Sequence, residues 1–349
     1  MPTSHPSLRD IARLLNVSHV TVSLAMRDNP RISAARRAQV RAMAEKLGYR
    51  PDPMLSSLVA YRNQKKVKPI AATLAWINRW ADPKELRRHR EFDAYWSGAR
   101  EAADTLGYRL EEFTIDAGLS TSRLNSILLA RGVMGLLIPP HPAGTMWSDF
   151  GLDWSRFAVV RFGFSAVDLR AHMIGNDQMR SSEMAVRRMV QLGYRKIGYA
   201  SAAPAENSTD GNFRMGYLRG LETTNVAPIE PLILSVANCA GNATAVRAWI
   251  KRFKPDAILT SLPELHPLLK QMKFAVPEQI GLAATSVRDC GKIDAGIDQS
   301  PIEIGRVAAH TLIAEINRQE HGMPEHCRRI LVESKWVDGA SLPPRSSIE

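Results

Sequence analysis

The chain has 349 residues, which at roughly 150 residues per domain predicts two or three packed units. Its composition, 45% hydrophobic and 23% charged with both signs present, excludes a wholly disordered or fibrous protein. The net charge of +11 is uneven, because residues 1–68 carry 13 Lys and Arg against four Asp and Glu, a local charge of +9. A basic head on a nearly neutral body indicates an anionic partner for the head, with nucleic acid as the first candidate.

The start of the chain lacks the apolar core of a signal peptide, and no stretch approaches the roughly 18 apolar residues that a membrane span requires. We therefore expect a cytoplasmic protein without membrane contact. Cys239, Cys290 and Cys327 lie far apart with no Cys-x-x-Cys spacing, so neither a disulfide framework nor a zinc site is indicated. We expect no metal and no cofactor.

The head begins with a short amphipathic helix. Ser7 followed by Asp10 three residues later is typical of a helix N-terminus. The apolar residues that then share one helix face are Leu8, Ile11, Ala12 and Leu15. Asn16 tolerates the left-handed backbone conformation, so it predicts a tight turn into a second helix.

Two further helices follow this turn. Ser18 is a suitable N-cap for a helix over about residues 19–26, and Ser33 for a third helix that continues to about Leu47. Gly48 stands where a left-handed C-cap belongs. Because the first two helices are joined by a very short turn, the pattern predicts a helix-turn-helix unit whose second helix enters the major groove of DNA.

Several runs in this head are familiar in both residue type and spacing: Leu8-Arg9-Asp10-Ile11-Ala12, Asn16-Val17-Ser18-His19-Val20-Thr21-Val22-Ser23-Leu24 and Leu47-Gly48-Tyr49-Arg50-Pro51. They closely resemble the DNA-binding head of the lactose-repressor (LacI/GalR) family of bacterial transcription regulators. Asn16 replaces the usual turn glycine, and Leu24 replaces a frequent arginine. The resemblance implies a homodimeric repressor in the bacterial cytoplasm, associated with the nucleoid, that reads a pseudo-palindromic operator in double-stranded DNA.

The predicted DNA contacts divide into two groups. Phosphate contacts fall to short hydroxyls near helix N-termini, Ser18, Thr21, Ser23 and Ser33. The resemblance implies phosphate contacts at the same places and adds Ser7, Arg27 and Arg31. Base reading falls to His19 and Val20, helped by Leu8 and Leu24. The alternative for Val20 and Leu24 is packing in the core of the head, although other apolar residues of the same segment already supply that core.

Residues 51–69 predict a hinge between the head, residues 1–50, and the body, residues 70–349. Asp52 and Pro53 suit the start of a helix of one or two turns, which is too short to be stable alone and should form on DNA beside a partner hinge. The resemblance implies that Leu58 inserts into the minor groove at the operator centre, with Leu55 as a neighbouring groove contact. The alternative is an ordinary linker whose leucines pack on the body.

In the body, short apolar runs alternate with helical stretches, which predicts an α/β fold with parallel sheets and helices on both faces. The predicted strands are residues 71–77, 108–113, 133–138, 157–162, 196–200, 257–260, 280–284 and 329–332. The predicted helices are residues 91–106, 121–130, 178–192, 213–223, 243–253 and 301–320. The tetrapeptide Leu-Gly-Tyr-Arg, which starts at residues 47, 106 and 192, is interpreted as a shared helix stop with glycine as the C-cap.

The body also resembles the effector domain of the same family, through residues 172–177 and 296–299. That resemblance implies a two-lobed, periplasmic-binding-protein-like (type I) fold, dimerisation through the body and a small-molecule effector, a carbohydrate or related metabolite, in the cleft. Because such clefts lie outside the carboxyl ends of the strands, the predicted effector contacts include Trp76, Asn78, Phe162 and Asp177. The resemblance adds Arg214 and Gln299, which fall near effector contacts of the family. Arg214 is one residue out of register with the family pattern. Residues 283–286 also lack the acidic residues common at that strand end, which leaves open a ligand other than a standard sugar.

No catalytic constellation is present, since the chain lacks a Gly-rich phosphate loop and a Gly-x-Ser-x-Gly elbow, and its nine histidines show no metal-ligand spacing. We therefore expect no catalytic residues and no enzyme activity. A ligand-responsive transcriptional regulator accounts for head, hinge and body together. Two alternatives stay open: a cytosolic sugar-binding protein, which leaves the head unexplained, and a nonspecific nucleoid-type DNA-binding protein, which leaves the body unexplained.

Overall fold

The computed structural model describes residues 8–26, 32–47, 72–115, 120–142, 145–147, 150–166, 168–235 and 241–345. Contacts divide the chain into two compact units, residues 1–69 and residues 70–349. The predicted cap at Gly48 and the predicted hinge helix lie outside the described residues.

The first unit contains the three predicted helices, α1 (Leu8–Leu14), α2 (His19–Met26) and α3 (Ala34–Lys46). They pack around one small apolar core, made of Ile11, Ala12, Val22, Ala25, Val40 and Ala44. Asn16 adopts the left-handed conformation with φ 48°, which confirms the predicted turn between α1 and α2. The helix-turn-helix prediction is therefore confirmed in the described part of the head.

The second unit consists of two lobes, each built on a six-stranded sheet. In the N-lobe all strand pairs are parallel and the order is β11-β5-β4-β3-β1-β2. These strands are β1 (Ala72–Asn78), β2 (Tyr108–Thr114), β3 (Val133–Ile138), β4 (Ala158–Phe162), β5 (His172–Asn176) and β11 (Arg329–Val332). The N-lobe helices are α4 (Pro83–Arg88), α5 (Arg90–Thr105), α6 (Thr121–Ala130) and α12 (Pro301–Arg318).

The C-lobe sheet has the order β12-β10-β9-β8-β6-β7, and only its edge strand β12 runs antiparallel to its neighbour. Its strands are β6 (Ile197–Ala202), β7 (Leu232–Leu234), β8 (Ala257–Thr260), β9 (Gly281–Ala284), β10 (Gly296–Asp298) and β12 (Lys335–Val337). Its helices are α7 (Gln178–Gln191), α8 (Ala203–Ser208), α9 (Asn212–Thr223), α10 (Ala243–Phe253) and α11 (Leu265–Gln271). The chain passes between the lobes three times, after β5, β10 and β11, which confirms the predicted two-lobed α/β fold.

Buried apolar side chains cover both faces of each sheet. On one face of the N-lobe sheet, α5 and α12 contribute to a core with strands β1, β3, β4 and β5, while α6 contributes to the core on the other face. The helix stops predicted in the body are confirmed, because Gly107 and Gly193 have φ values of 80° and 96° directly after the caps of α5 and α7. Among the residues described, no helix combines the length and apolarity needed to cross a membrane.

Candidate DNA-binding surface and lobe-junction site

The first candidate site is the start of α2 in the head. The left-handed Asn16 turns the chain, and the Val17 N–H donates to the carbonyl of Ala12 at 3.0 Å, closing the end of α1. Ser18 Oγ then accepts the N–H of Thr21 at 3.0 Å and lies 2.8 Å from Thr21 Oγ1. This capping fixes the first turn of α2 on the surface of the head.

Exposure separates the two faces of α2. Val22 and Ala25 are fully buried, whereas His19 is exposed and Val20 is 64% exposed. Leu24 is half-buried. The core-packing alternative is therefore wrong for Val20, while the predicted base contacts themselves stay a prediction.

The other predicted DNA contacts have varied positions. Leu8 packs partly against the head core, which leaves less of it for a DNA base. Ser33 caps α3 by accepting the Arg36 N–H at 3.3 Å. The remaining predictions lie outside the described residues or concern a side chain that is not described: Ser7, Ser23, Arg27, Arg31, Leu55 and Leu58.

Both aromatic side chains predicted to contact an effector lie in the N-lobe core. Trp76 is 1% exposed and packs edge-on against Trp96, with ring centroids 5.5 Å apart. Phe162 is fully buried, 5.2 Å from Trp76 and stacked on Tyr95 at the same centroid distance. In this conformation neither ring offers a face to a ligand.

Asn78, at the carboxyl end of β1, is also buried and has its own hydrogen-bond partners. Its amide donates to Glu112 Oε1 at 2.7 Å and to the carbonyl of Pro83 at 3.0 Å, while its oxygen accepts the Trp80 N–H. Asn78 thus holds together the loop from β1 to α4. Its predicted effector contact would require replacing these bonds.

The three remaining effector candidates hold local structure. Asp177 caps α7 by accepting the Arg180 N–H at 3.1 Å, and it lines a cavity of about 230 Å³ beside that helix. Arg214 pairs with the largely buried Glu206 at 3.1 Å. Gln299 donates to the carbonyl of Thr285 at 2.9 Å. Their roles as ligand contacts stay predictions.

The lobe junction has functional candidates that sequence reasoning missed. Arg90 and Glu91 begin α5 in the N-lobe, and they meet the loop after β9 in the C-lobe. Ser286 Oγ donates to Glu91 Oε1 at 2.5 Å, and the Arg90 N–H donates to Asp289 Oδ1 at 2.9 Å. An acidic residue in a first helical turn is so common that Glu91 gave no separate signal.

A cavity of about 430 Å³ lies at the same junction. Residues of both lobes and of the crossovers contribute to its lining, including Arg288, Asp298, Ile302, Arg306 and Lys335. Its volume is in the range of small-molecule sites. Over the described ranges, no group of three or more His, Cys, Asp or Glu side chains is placed to hold a metal ion.

Residues 7–52 match the family described as bacterial regulatory proteins, lacI family. A curated relative, the NTD biosynthesis operon regulator NtdR of Bacillus subtilis (strain 168), is 23% identical over 289 residues, which covers 79% of this chain and 81% of NtdR.

The fold is similar to those of solved transcription regulators. The CelR–cellobiose complex has 17% identity and a TM-score of 0.58, with 95% of this chain and 98% of that one covered. The Lac repressor dimer bound to operator and the anti-inducer ONPF has 16% identity and a TM-score of 0.55, with 96% and 98% covered. At these identities the likeness shows the shared fold.

Proposed function

Because this chain belongs to the lacI family of bacterial regulatory proteins, we propose that it is a homodimeric repressor that binds a pseudo-palindromic operator and is controlled by a small-molecule effector. The head binds DNA, the hinge couples the two heads, and residues 70–349 dimerise and bind the effector. This function is not that of an enzyme.

The single observation that carries the proposal is the exposure of Val20 at the start of α2. An apolar side chain that is 64% exposed, beside an exposed His19, has no role in the core of the head. In helix-turn-helix proteins the first residues of the second helix contact base edges in the major groove. Val20 suits a thymine methyl group and His19 suits a purine acceptor, so the reading surface is partly apolar.

The caps of α2 and α3 support the assignment of phosphate contacts. Ser18 and Ser33 both place a hydroxyl and a helix N-terminus on the surface of the head. Backbone N–H groups at helix N-termini favour phosphate oxygens, so these two positions would set the orientation of the head on the duplex. The basic charge of the head adds attraction that is salt-dependent and independent of sequence.

For the effector we propose a carbohydrate or related metabolite bound at the lobe junction. The 430 Å³ cavity there supports this assignment, because Arg288 from the C-lobe and Arg306 from the N-lobe both line it. A ligand that contacts both lobes changes the free energy of lobe closure only by its different affinity for the two states. The solved relative CelR is a complex with cellobiose, which makes disaccharides a sensible first set of probes.

The proposal is tested by selecting bound duplexes from a random pool with the full-length protein. We expect two half-sites related by two-fold symmetry, and an affinity for the selected duplex roughly a thousandfold or more above that for a scrambled one. Equal affinity for both duplexes would favour the nucleoid-type alternative. Binding to neither, together with thermal stabilisation by a disaccharide, would favour the sugar-binding alternative.

A further inference from the structure

The N-terminus of α5 is capped by the opposite lobe. Its own N-cap residue, His89, makes no side-chain capping hydrogen bond. Instead the carboxylate of Asp289, in the loop after β9, accepts the backbone N–H of Arg90 at 2.9 Å and also that of Glu91. A carboxylate at a helix N-terminus satisfies unpaired N–H groups and interacts favourably with the helix dipole. This cap exists only while the two lobes are together.

A second hydrogen bond lies beside the cap. Ser286 Oγ donates to Glu91 Oε1 at 2.5 Å, and the same Oγ accepts the Asp289 N–H at 3.3 Å. Glu91 is only 3% exposed, and its other oxygen, Oε2, is buried without a hydrogen-bond partner among the described residues. A buried carboxylate with an unsatisfied oxygen is costly when charged, so its surroundings favour the neutral form.

The charges around Glu91 come from both lobes. From the C-lobe, Asp289 and Asp298 oppose its negative charge and Arg288 favours it. On α5 itself, the buried phenol of Tyr95 lies near the carboxyl group, while Arg90 and His89 act on the neighbouring Asp289. Lobe closure therefore brings a buried carboxyl group towards two other carboxylates, whose effect Arg288 only partly offsets.

We propose that Glu91, Ser286 and Asp289 form a latch between the lobes that engages when Glu91 takes up a proton, so that lobe closure responds to pH. The latch itself is a property of the two-lobed body. Its effect on operator binding rests on the proposed function, because only a repressor would convert lobe closure into a change of DNA affinity.

The direction of this pH response follows from the pKa of Glu91. Burial, partly offset by the hydrogen bond from Ser286, raises this pKa from 4.5 to about 7 in the latched state. When the lobes separate, the carboxyl group returns to water and its pKa falls towards the ordinary value. The latched state therefore binds the proton more tightly than the open state does. As the pH falls from 8 to 6, the equilibrium ratio of latched to open protein rises about tenfold.

Hydrogen exchange at the backbone N–H groups of Arg90 and Glu91 measures this latch directly, because Asp289 protects both. After correction for the chemical exchange rate, full-length protein should exchange these two amides about tenfold more slowly at pH 6 than at pH 8. Amides in the middle of α5, near Ala99, report the pH dependence of global unfolding, to which Glu315 also contributes, and serve as the reference against which the two latch amides are compared. A wild-type protein with equal protection at the two pH values would overturn the latch.

Two variants and one matched control complete the test. Glu91→Gln cannot ionise, so its two amides should be protected to the same extent at both pH values. Ser286→Ala removes the hydroxyl that donates to Glu91, so the amides of Arg90 and Glu91 should lose protection at both pH values. Glu315→Gln removes another buried carboxyl group of the N-lobe, one that pairs with His172 instead of the latch residues, and it should keep the wild-type pH dependence. Persistence of that dependence in Glu91→Gln would assign it to another group.

The two proposals can fail separately. If exchange responds to pH as expected but no operator is ever selected, the latch stands and the repressor function is lost. If an operator is found, its affinity should also change between pH 6 and pH 8 in the wild type, and this change should be smaller in Glu91→Gln.

Discussion

His172 and Glu315 meet inside the N-lobe, where Nε2 of the imidazole lies 3.4 Å from Oε1 of the carboxyl group and both side chains are buried. The Arg328 N–H donates to His172 Nδ1 at 3.1 Å, so a neutral ring carries its proton on Nε2, facing Glu315. Glu315 comes from α12 and His172 from β5, so this contact ties the helix that returns from the C-lobe to the N-lobe sheet.

This pair predicts a specific pH dependence of stability. Burial raises the pKa of Glu315 from 4.5 to about 7 and lowers the pKa of His172. A carboxyl group whose pKa is raised by folding stabilises the folded state when it is protonated. This contribution is fully present below the pKa of the group in the unfolded chain, and it is lost as the pH rises through about 7. The lowered pKa of His172 has the opposite effect on stability, mainly below the ordinary pKa of histidine. The contribution of Glu315 is therefore best measured between about pH 6.5 and pH 8.

We expect the wild type to lose on the order of 1 kcal/mol of unfolding free energy from Glu315 over this window, and a similar amount from Glu91. Glu315→Gln should therefore lose about half of the pH dependence, measured by urea unfolding at both pH values. Glu303→Gln, half exposed on the same helix, is the matched control and should follow the wild type. A Glu315→Gln profile parallel to that of the wild type would contradict this assignment.

The crossing of α5 and α12 predicts a second effect on stability. A Cβ on Gly98 would overlap the carbonyl oxygen of Ile302, and a Cβ on Gly305 would overlap that of Tyr95. Gly98→Ala should therefore reduce the unfolding free energy by about 1–3 kcal/mol, because the backbones cannot separate without disturbing the core. Gly175→Ala is the control, since its Cβ would lie 3.5 Å from Met173 Sδ, an ordinary contact. Equal denaturation midpoints for the two variants would contradict the close crossing.

Long apolar runs made most of the fold predictable from the sequence. The eight predicted strands and six predicted helices of the body are all present, with ends within two residues. Four strands were missed: β5, which reads His-Met-Ile-Gly-Asn and lacks a clear apolar run, and the three-residue strands β7, β10 and β12. The short helices α4, α8 and α11 were also missed, because six or seven residues carry little helical periodicity.

The candidate sites were less predictable than the fold. Trp76 lies near the carboxyl end of a parallel strand that is buried on both faces. A large aromatic residue at that position is expected both for a ligand contact in the cleft and for a core residue, so the sequence could not distinguish the two roles. The contact of Arg90 with Asp289 joins residues 199 positions apart, and no local pattern links them. The start of α2 was predictable because its cap, its buried face and its exposed face all lie within one short segment.

Operator recognition should depend on the exposed start of α2. We expect Val20→Ala and His19→Ala each to weaken binding to the selected operator by about tenfold, since a lost base contact costs roughly 1–3 kcal/mol. Binding to a scrambled duplex should change little, because it depends on phosphate contacts. Leu14→Ala removes another exposed apolar side chain, 59% exposed at the end of α1, and should leave operator affinity unchanged. Fluorescence anisotropy titrations would contradict this reading surface if Val20→Ala and Leu14→Ala bound the operator equally well.

Leu58 is predicted to act as a wedge in the minor groove, although it lies outside the described residues. An apolar side chain inserted between base steps unstacks them and bends the duplex, and the bend allows both heads to reach their half-sites. Leu58→Ala should therefore weaken operator binding by roughly tenfold or more and reduce the bend, because unstacking a base step involves a few kcal/mol. Energy transfer between dyes at the two operator ends measures the bend, and urea unfolding should show little loss of stability. Leu129→Ala, a 44% exposed leucine of the body, is the control. Unchanged affinity and bend with a less stable body would instead support the alternative in which Leu58 packs on the body as part of a linker.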